Sequence, residues 1–94
     1  MRDFVRQDLH EPDLLELLRL SEEEFRRRFR GTPIFRTKRR GLLRNVCVVL
    51  GNIGTVAAIP ELEKCMTDAE QLIREHAAWA VEEIRARENQ AIRP

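Results

Sequence analysis

The sequence predicts an all-α protein, a short right-handed helical-repeat solenoid of about five helices, and three observations carry that prediction. The 94 residues include only 4 Gly and 4 Pro, too little turn material for a strand-rich fold. Apolar residues recur at the three- and four-residue spacing of helices through most of the chain. Leu42-Leu43-Arg44 aligns with Leu72-Ile73-Arg74 at an offset of 30 residues, a period that suits a paired-helix repeat unit, although Leu50 needs a one-residue slip to meet Val81.

The elements follow in order. Residues up to His10 show no clear period, and Phe4 among them is a candidate core residue. Glu11-Pro12-Asp13 marks a helix start, with Pro in the first turn and acids at the positive end of the helix dipole. Leu14, Leu15, Leu17, Leu18 and Leu20 make this a short buried helix ending near Leu20. Ser21-Glu22-Glu23-Glu24 is a capping box, so a second helix runs from Glu22 to about Arg30 and stops at Gly31. Phe25 and Phe29 share its apolar face. Pro33 disfavours helical geometry at Thr32, and Thr32-Pro33-Ile34-Phe35 reads as a short extended loop.

A longer helix then spans about Thr37 to Leu50, with Leu42, Leu43, Val46, Cys47, Val49 and Leu50 inward, and Gly51-Asn52-Ile53-Gly54 closes it. Thr55 caps a helix to about Met66, in which Pro60 lies early enough to bend rather than break it. Asp68-Ala69-Glu70-Gln71 caps a final helix that buries Leu72, Ile73, Ala77, Ala80, Val81 and Ile84. The expected organisation is one domain, 1–94: capping helices over 13–35, repeat helices over 36–88 and a frayed tail over 89–94. Stacked units need about three copies or a cap, a role the two N-terminal helices can fill.

Composition bounds the function. A chain of this length buries roughly 60 to 65% of its unfolded surface, enough for one modest core. No apolar run approaches the roughly 20 residues of a membrane span, and the N-terminus lacks the pattern of a signal peptide. A cytoplasmic protein with no membrane partner is expected. Cys47 and Cys65 form no Cys-x-x-Cys pair, and His10 and His76 complete no zinc spacing, so the cysteines read as buried reduced hydrophobes and no metal ligand or catalytic residue is expected. His76 sits beside a carboxylate with no nucleophile or oxyanion-hole motif, and reads as structural. Trp79, among Ala77, Ala78 and Ala80, reads as core rather than as a base-stacking platform.

The net charge of +1 conceals a strong polarity. Arg26, Arg27, Arg28, Arg30, Arg36, Lys38, Arg39, Arg40 and Arg44 fall in one stretch with no acid among them, which leaves the rest of the chain strongly acidic. Cations at the start of a helix oppose its dipole by roughly 0.3–1 kcal/mol each. Their placement at Lys38, Arg39 and Arg40 therefore points to a task other than helix stability. Phosphate contact is the task they suit, against the alternative of a solvated charged face, and Arg39 and Arg40 lead the candidates, with Arg36 and Lys38 beside them and Arg26, Arg27, Arg28 and Arg30 second. Arg44, inside the apolar helix, reads first as a structural hydrogen bond or ion pair with a neighbouring helix and second as a phosphate contact, and Asn45 shares that ambiguity.

Two stretches, Arg44 to Gly54 and Ile73 to Val81, resemble helical repeats of the HEAT type. The wider block, Asp13 to Leu18, then Leu20-Ser21-Glu22-Glu23-Glu24-Phe25-Arg26-Arg27-Arg28-Phe29-Arg30-Gly31-Thr32-Pro33, then Arg39-Arg40-Gly41-Leu42-Leu43-Arg44-Asn45, resembles the C-terminal region of epoxyqueuosine reductases. The likeness covers about Asp13 to Ile84. In full-length members it implies a cobalamin-binding region and a ferredoxin-like region with two [4Fe–4S] clusters, reduction of epoxyqueuosine to queuosine at the tRNA wobble position, and a tail that helps hold the tRNA. Those cysteine runs and the cobalamin region are not in this sequence, and two isolated cysteines cannot ligate a four-cysteine cluster. The resemblance implies a non-catalytic fragment, excised domain or split-gene product whose partners are tRNA and upstream catalytic domains. A HEAT-type protein–protein scaffold is the alternative, and pairing of two copies stays open.

Overall fold

Short-range hydrogen bonds set the helix starts. In the computed structural model, which describes residues 10–92, the first helix α1 spans Glu11–Leu18, and the Asp13 carboxylate accepts from the backbone N–H of His10. Helix α2, Glu22–Phe29, carries the reciprocal bonds of a capping box: Ser21 Oγ accepts from Glu24 N–H at 3.1 Å, and Glu24 Oε1 accepts from Ser21 N–H at 2.9 Å. Acids in its first turn and arginines in its last both complement the helix dipole. A 3₁₀ turn, η1, covers Pro33–Thr37 and leads directly into α3, Lys38–Ile53. A second 3₁₀ turn, η2 at Val56–Ala58, precedes α4, Ile59–Cys65, and α5 covers Gln71–Ile92.

One core runs through all five α-helices. Leu14, Leu17 and Leu18 of α1 and Phe25 of α2 join Leu42, Leu43, Val46, Cys47 and Leu50 of α3, Leu62 and Cys65 of α4, and Ile73, Ala77, Ala80, Val81 and Ile84 of α5. Fully burying one such aliphatic side chain is worth about 1.5–3 kcal/mol, so the α3 face alone outweighs any single surface pair. Helices α3 and α5 lie side by side and run in the same direction. Arg39 at the start of α3 pairs with Asp68 just before α5, while Gly51 near the end of α3 meets Trp79 and Arg87 farther along α5. Helix α4 returns the chain between them and packs on α5 and α1.

Several sequence expectations change at this level. Thr32 is extended, but Pro33–Thr37 is a 3₁₀ turn and not an extended loop: Phe35 N–H donates to Thr32 C=O and Thr37 Oγ1 donates to Ile34 C=O, bonds that close a tight turn once Pro33 has preset its first φ. Helix α3 continues to Ile53 because Arg87 reaches its C-terminal carbonyls, donating to Gly51 and Gly54 C=O at 2.6 Å each. The helix expected from Thr55 to Met66 is divided, with Thr55 Oγ1 capping η2 and Pro60 in the first turn of α4. Helix α5 runs to Ile92, through the stretch expected to fray; residues 93–94, like Phe4, lie outside the described residues.

Candidate nucleic-acid interface

The basic segment occupies α2, the α2–η1 turn, η1 and the start of α3, and an aromatic cluster holds these pieces together. Phe25 is buried, its ring centroid 5.3 Å from Phe29 and 5.9 Å from Phe35, the latter ring within 10° of parallel. That stack packs α2 against η1, so the two groups of cations expected from the sequence lie on adjacent elements. The connecting turn depends on Gly31, whose φ of +81° is open to glycine and strained for a side-chain-bearing residue. Thr32 then closes the turn, its N–H and Oγ1 both donating to Phe29 C=O.

Arg26, Arg27, Arg28, Arg30, Arg36, Lys38 and Arg40 are all exposed. Arg27 lies 4.0 Å from Glu23, with both side chains largely in solvent, a contact worth about 0–1 kcal/mol. The Arg28 guanidinium sits 5.4 Å from the Phe29 ring centroid, a cation–π contact that steadies it without neutralising its charge. Lys38 has φ +62° and ψ 164°, a region nearly reserved for glycine, where the chain changes from η1 to α3.

Arg39, a leading candidate from the sequence, is held inside the fold. Its Nε donates to Leu20 C=O at 2.7 Å and its two terminal nitrogens grip both carboxylate oxygens of Asp68, leaving the side chain 13% exposed. A guanidinium spent on a bidentate pair inside the fold is not offered to a phosphate. The hydrogen bond from Arg39 holds the Asp68 carboxyl below the usual carboxylate range, and the same bond raises Arg39. Arg39 thus ties three places together: the turn after α1, the start of α3 and the loop before α5. Arg44 Nε donates to Asn45 Oδ1 at 2.9 Å, a bond to the next residue of its own helix rather than to a neighbouring helix.

The remaining titratable groups have structural surroundings. Burial pushes the Cys47 thiol up to about 12 and Cys65 up to about 11, values that keep both protonated and unreactive at neutral pH. His76 Nδ1 lies 2.9 Å from Leu72 C=O. Trp79 is not core: it is 37% exposed, with its benzo edge laid on Gly51, and together with Val48, Asn52, Glu75 and His76 it lines an open groove of about 500 Å³ between α3 and α5. Sequence reasoning placed it inside because its neighbours are alanines, yet Ala77 and Ala80 fill the inner face and turn position 79 outward.

The chain is 38% identical to epoxyqueuosine reductase of Shewanella oneidensis over 88 residues, 89% of this chain and 22% of that protein. It is 41% identical to epoxyqueuosine reductase of Xanthomonas campestris pv. campestris over 81 residues, 84% of this chain and 23% of the relative. This chain is homologous to epoxyqueuosine reductases. The enzyme of that name from Escherichia coli is 36% identical over 93% of the chain and 23% of its own length. The chain therefore spans about a fifth of the length of the curated relatives it matches. No protein-family model and no solved structure matches it.

The cysteines of this chain do not fit the [4Fe–4S] clusters that the resemblance implies for full-length members. Cys47 and Cys65 are two buried thiols where a [4Fe–4S] cluster takes four thiolates, and no group of three His, Cys, Asp or Glu gathers among the described residues. No helix among the described residues is long and apolar enough to cross a membrane.

Proposed function

We propose that this chain is a HEAT-like, RNA-gripping segment of an epoxyqueuosine-reductase-like protein, acting in queuosine modification of tRNA without chemistry of its own. The observation that carries the reading is the surface of seven exposed cations, Arg26, Arg27, Arg28, Arg30, Arg36, Lys38 and Arg40, in a stretch with no acid from Phe25 to Pro60. Such a surface repels itself unless an anion neutralises it. Each cation that meets a phosphate releases counterions and adds about 0.7–0.9 to the slope of log affinity against log salt. The cations of α2 also serve the helix dipole, but Lys38 and Arg40 at the start of α3 work against it and are retained at a cost to folding. The parallel pairing of α3 with α5, at the offset of the internal sequence match, supports the repeat reading. Grip of the backbone, rather than reading of bases, is what exposed charges on this surface supply.

The groove beside Trp79 favours a second reading, in which the same module is a protein–protein scaffold. Titration of labelled tRNA at several salt concentrations separates the two, with Arg36→Glu/Arg40→Glu as the variant and circular dichroism as the folding control. The RNA reading requires affinity that falls steeply with salt, and a double variant that binds at least tenfold more weakly with a shallower slope. Affinity indifferent to salt, or unchanged in a folded double variant, overturns it.

A further inference from the structure

Among the exposed cations lies an aromatic surface that backbone grip does not use. Phe35 stacks on Phe25 yet remains 36% exposed, and it lines a cavity of about 460 Å³ together with Gly31, Thr32, Pro33 and Arg36. The volume lies within the range of small-ligand sites, roughly 300–1,000 Å³. Its backbone is held: Phe35 N–H donates to Thr32 C=O at 3.1 Å, Thr32 Oγ1 to Phe29 C=O at 2.7 Å, and Gly31 takes the left-handed turn that admits the loop. Arg36 lines the same cavity, and Arg30, just before Gly31, is exposed as well. A rigid aromatic flanked by cations is the arrangement that accepts an unpaired base on its π face while the cations hold the flanking phosphates. The groove at Trp79 lacks this arrangement, because Glu75 lines it and would repel a phosphate.

We infer that Phe35 is a stacking platform for an unpaired nucleotide of the bound RNA, with Arg36 as the adjacent phosphate contact. The inference rests on the RNA-binding reading above and adds to it a preference for single-stranded over fully paired RNA. Stacking on a π face is tolerant of sequence, so the platform accepts any base. The test compares a single-stranded oligoribonucleotide carrying 2-aminopurine with a duplex of equal length, against wild type, Phe35→Leu and Phe35→Trp. Phe35→Leu should bind the single strand about tenfold more weakly and lose the quenching of 2-aminopurine, with duplex affinity and salt slope unchanged. Phe35→Trp should restore both. Should Phe35→Leu fail to fold, Phe35→Trp decides, since single-stranded RNA must quench its emission beyond the quenching of Trp79 in the wild type. Salt-dependent binding with no change in Phe35→Leu, or with no added quenching in Phe35→Trp, overturns the platform and leaves the grip standing. Absence of salt-dependent binding of either RNA by wild type overturns the grip itself.

Discussion

The nine basic residues between Arg26 and Arg44 look alike in the sequence, and the fold gives them different work. Seven face solvent, Arg39 is spent on Asp68 and Leu20, and Arg44 on Asn45. Arg39→Ala leaves the Asp68 carboxylate without its partner and should cost about 2–3 kcal/mol, whereas Arg40→Ala should stay within about 0.5 kcal/mol. Thermal melts of the two variants check this, and equal melting points would remove Arg39 from its structural role. Lys38 shows the opposite tension. Its φ of +62° with extended ψ is a conformation that glycine adopts freely and lysine does not, so Lys38→Gly should stabilise the protein by about 1 kcal/mol while weakening RNA binding through the lost charge. A melting point that falls in Lys38→Gly would show that the side chain contributes more than the backbone loses.

At the scale of elements, local chemistry was legible where a signal acts within one turn. The capping box at Ser21 and Glu24, the glycine after α2 and the inward faces of α3 and α5 all follow from residues next to one another. The 3₁₀ turn at Pro33–Thr37 was not legible, because Pro33 is as compatible with a tight turn as with an extended loop, and packing of Phe35 on Phe25 selects between them. The extension of α3 to Ile53 depends on Arg87, more than thirty residues away, donating to its last carbonyls. Gly51 likewise serves another element: a Cβ there would lie 2.8 Å from Trp79 Cη2 and closer still to Cζ3. Gly51→Ala should therefore destabilise by about 1–3 kcal/mol despite a better helix propensity, and Gly51→Ala/Trp79→Ala should recover part of the loss. Denaturant unfolding of the pair provides the measurement, and a stabilised single variant would contradict this packing.

At the scale of the described molecule, three carboxylates, Glu24, Glu61 and Asp68, are held by hydrogen bonds within the fold. Burial works against ionised Glu61, but hydrogen bonds from Lys64 and Arg19 outweigh it and hold the carboxyl low; Arg39 does the same for Asp68, and the Ser21 backbone and hydroxyl for Glu24. All three ionise at lower pH in the fold than in the unfolded chain. The stability they contribute is therefore complete above the unfolded values near about pH 4, and is lost as pH falls through the folded ones. Melting temperature should be level from pH 7 to about 5 and fall below it, with Asp68→Asn starting lower and falling less. A profile that is flat to pH 3 would mean that these pairs contribute nothing.

The all-α class, the order of the helices, the buried cysteines and the concentration of positive charge follow from residue type and spacing over a few turns, which any chain of this sequence carries whatever its final shape. Three things needed the assembled fold: Arg39 withdrawn from the surface, Trp79 brought out of the core, and Phe35 left open among the cations. Each depends on partners far along the chain, Asp68 for Arg39 and Gly51 for Trp79, or on a turn geometry the local residues leave undecided. The basic surface was thus readable as a charge and unreadable as a shape, because spacing sets which residues are neighbours along a helix and packing sets which of them still meet the solvent.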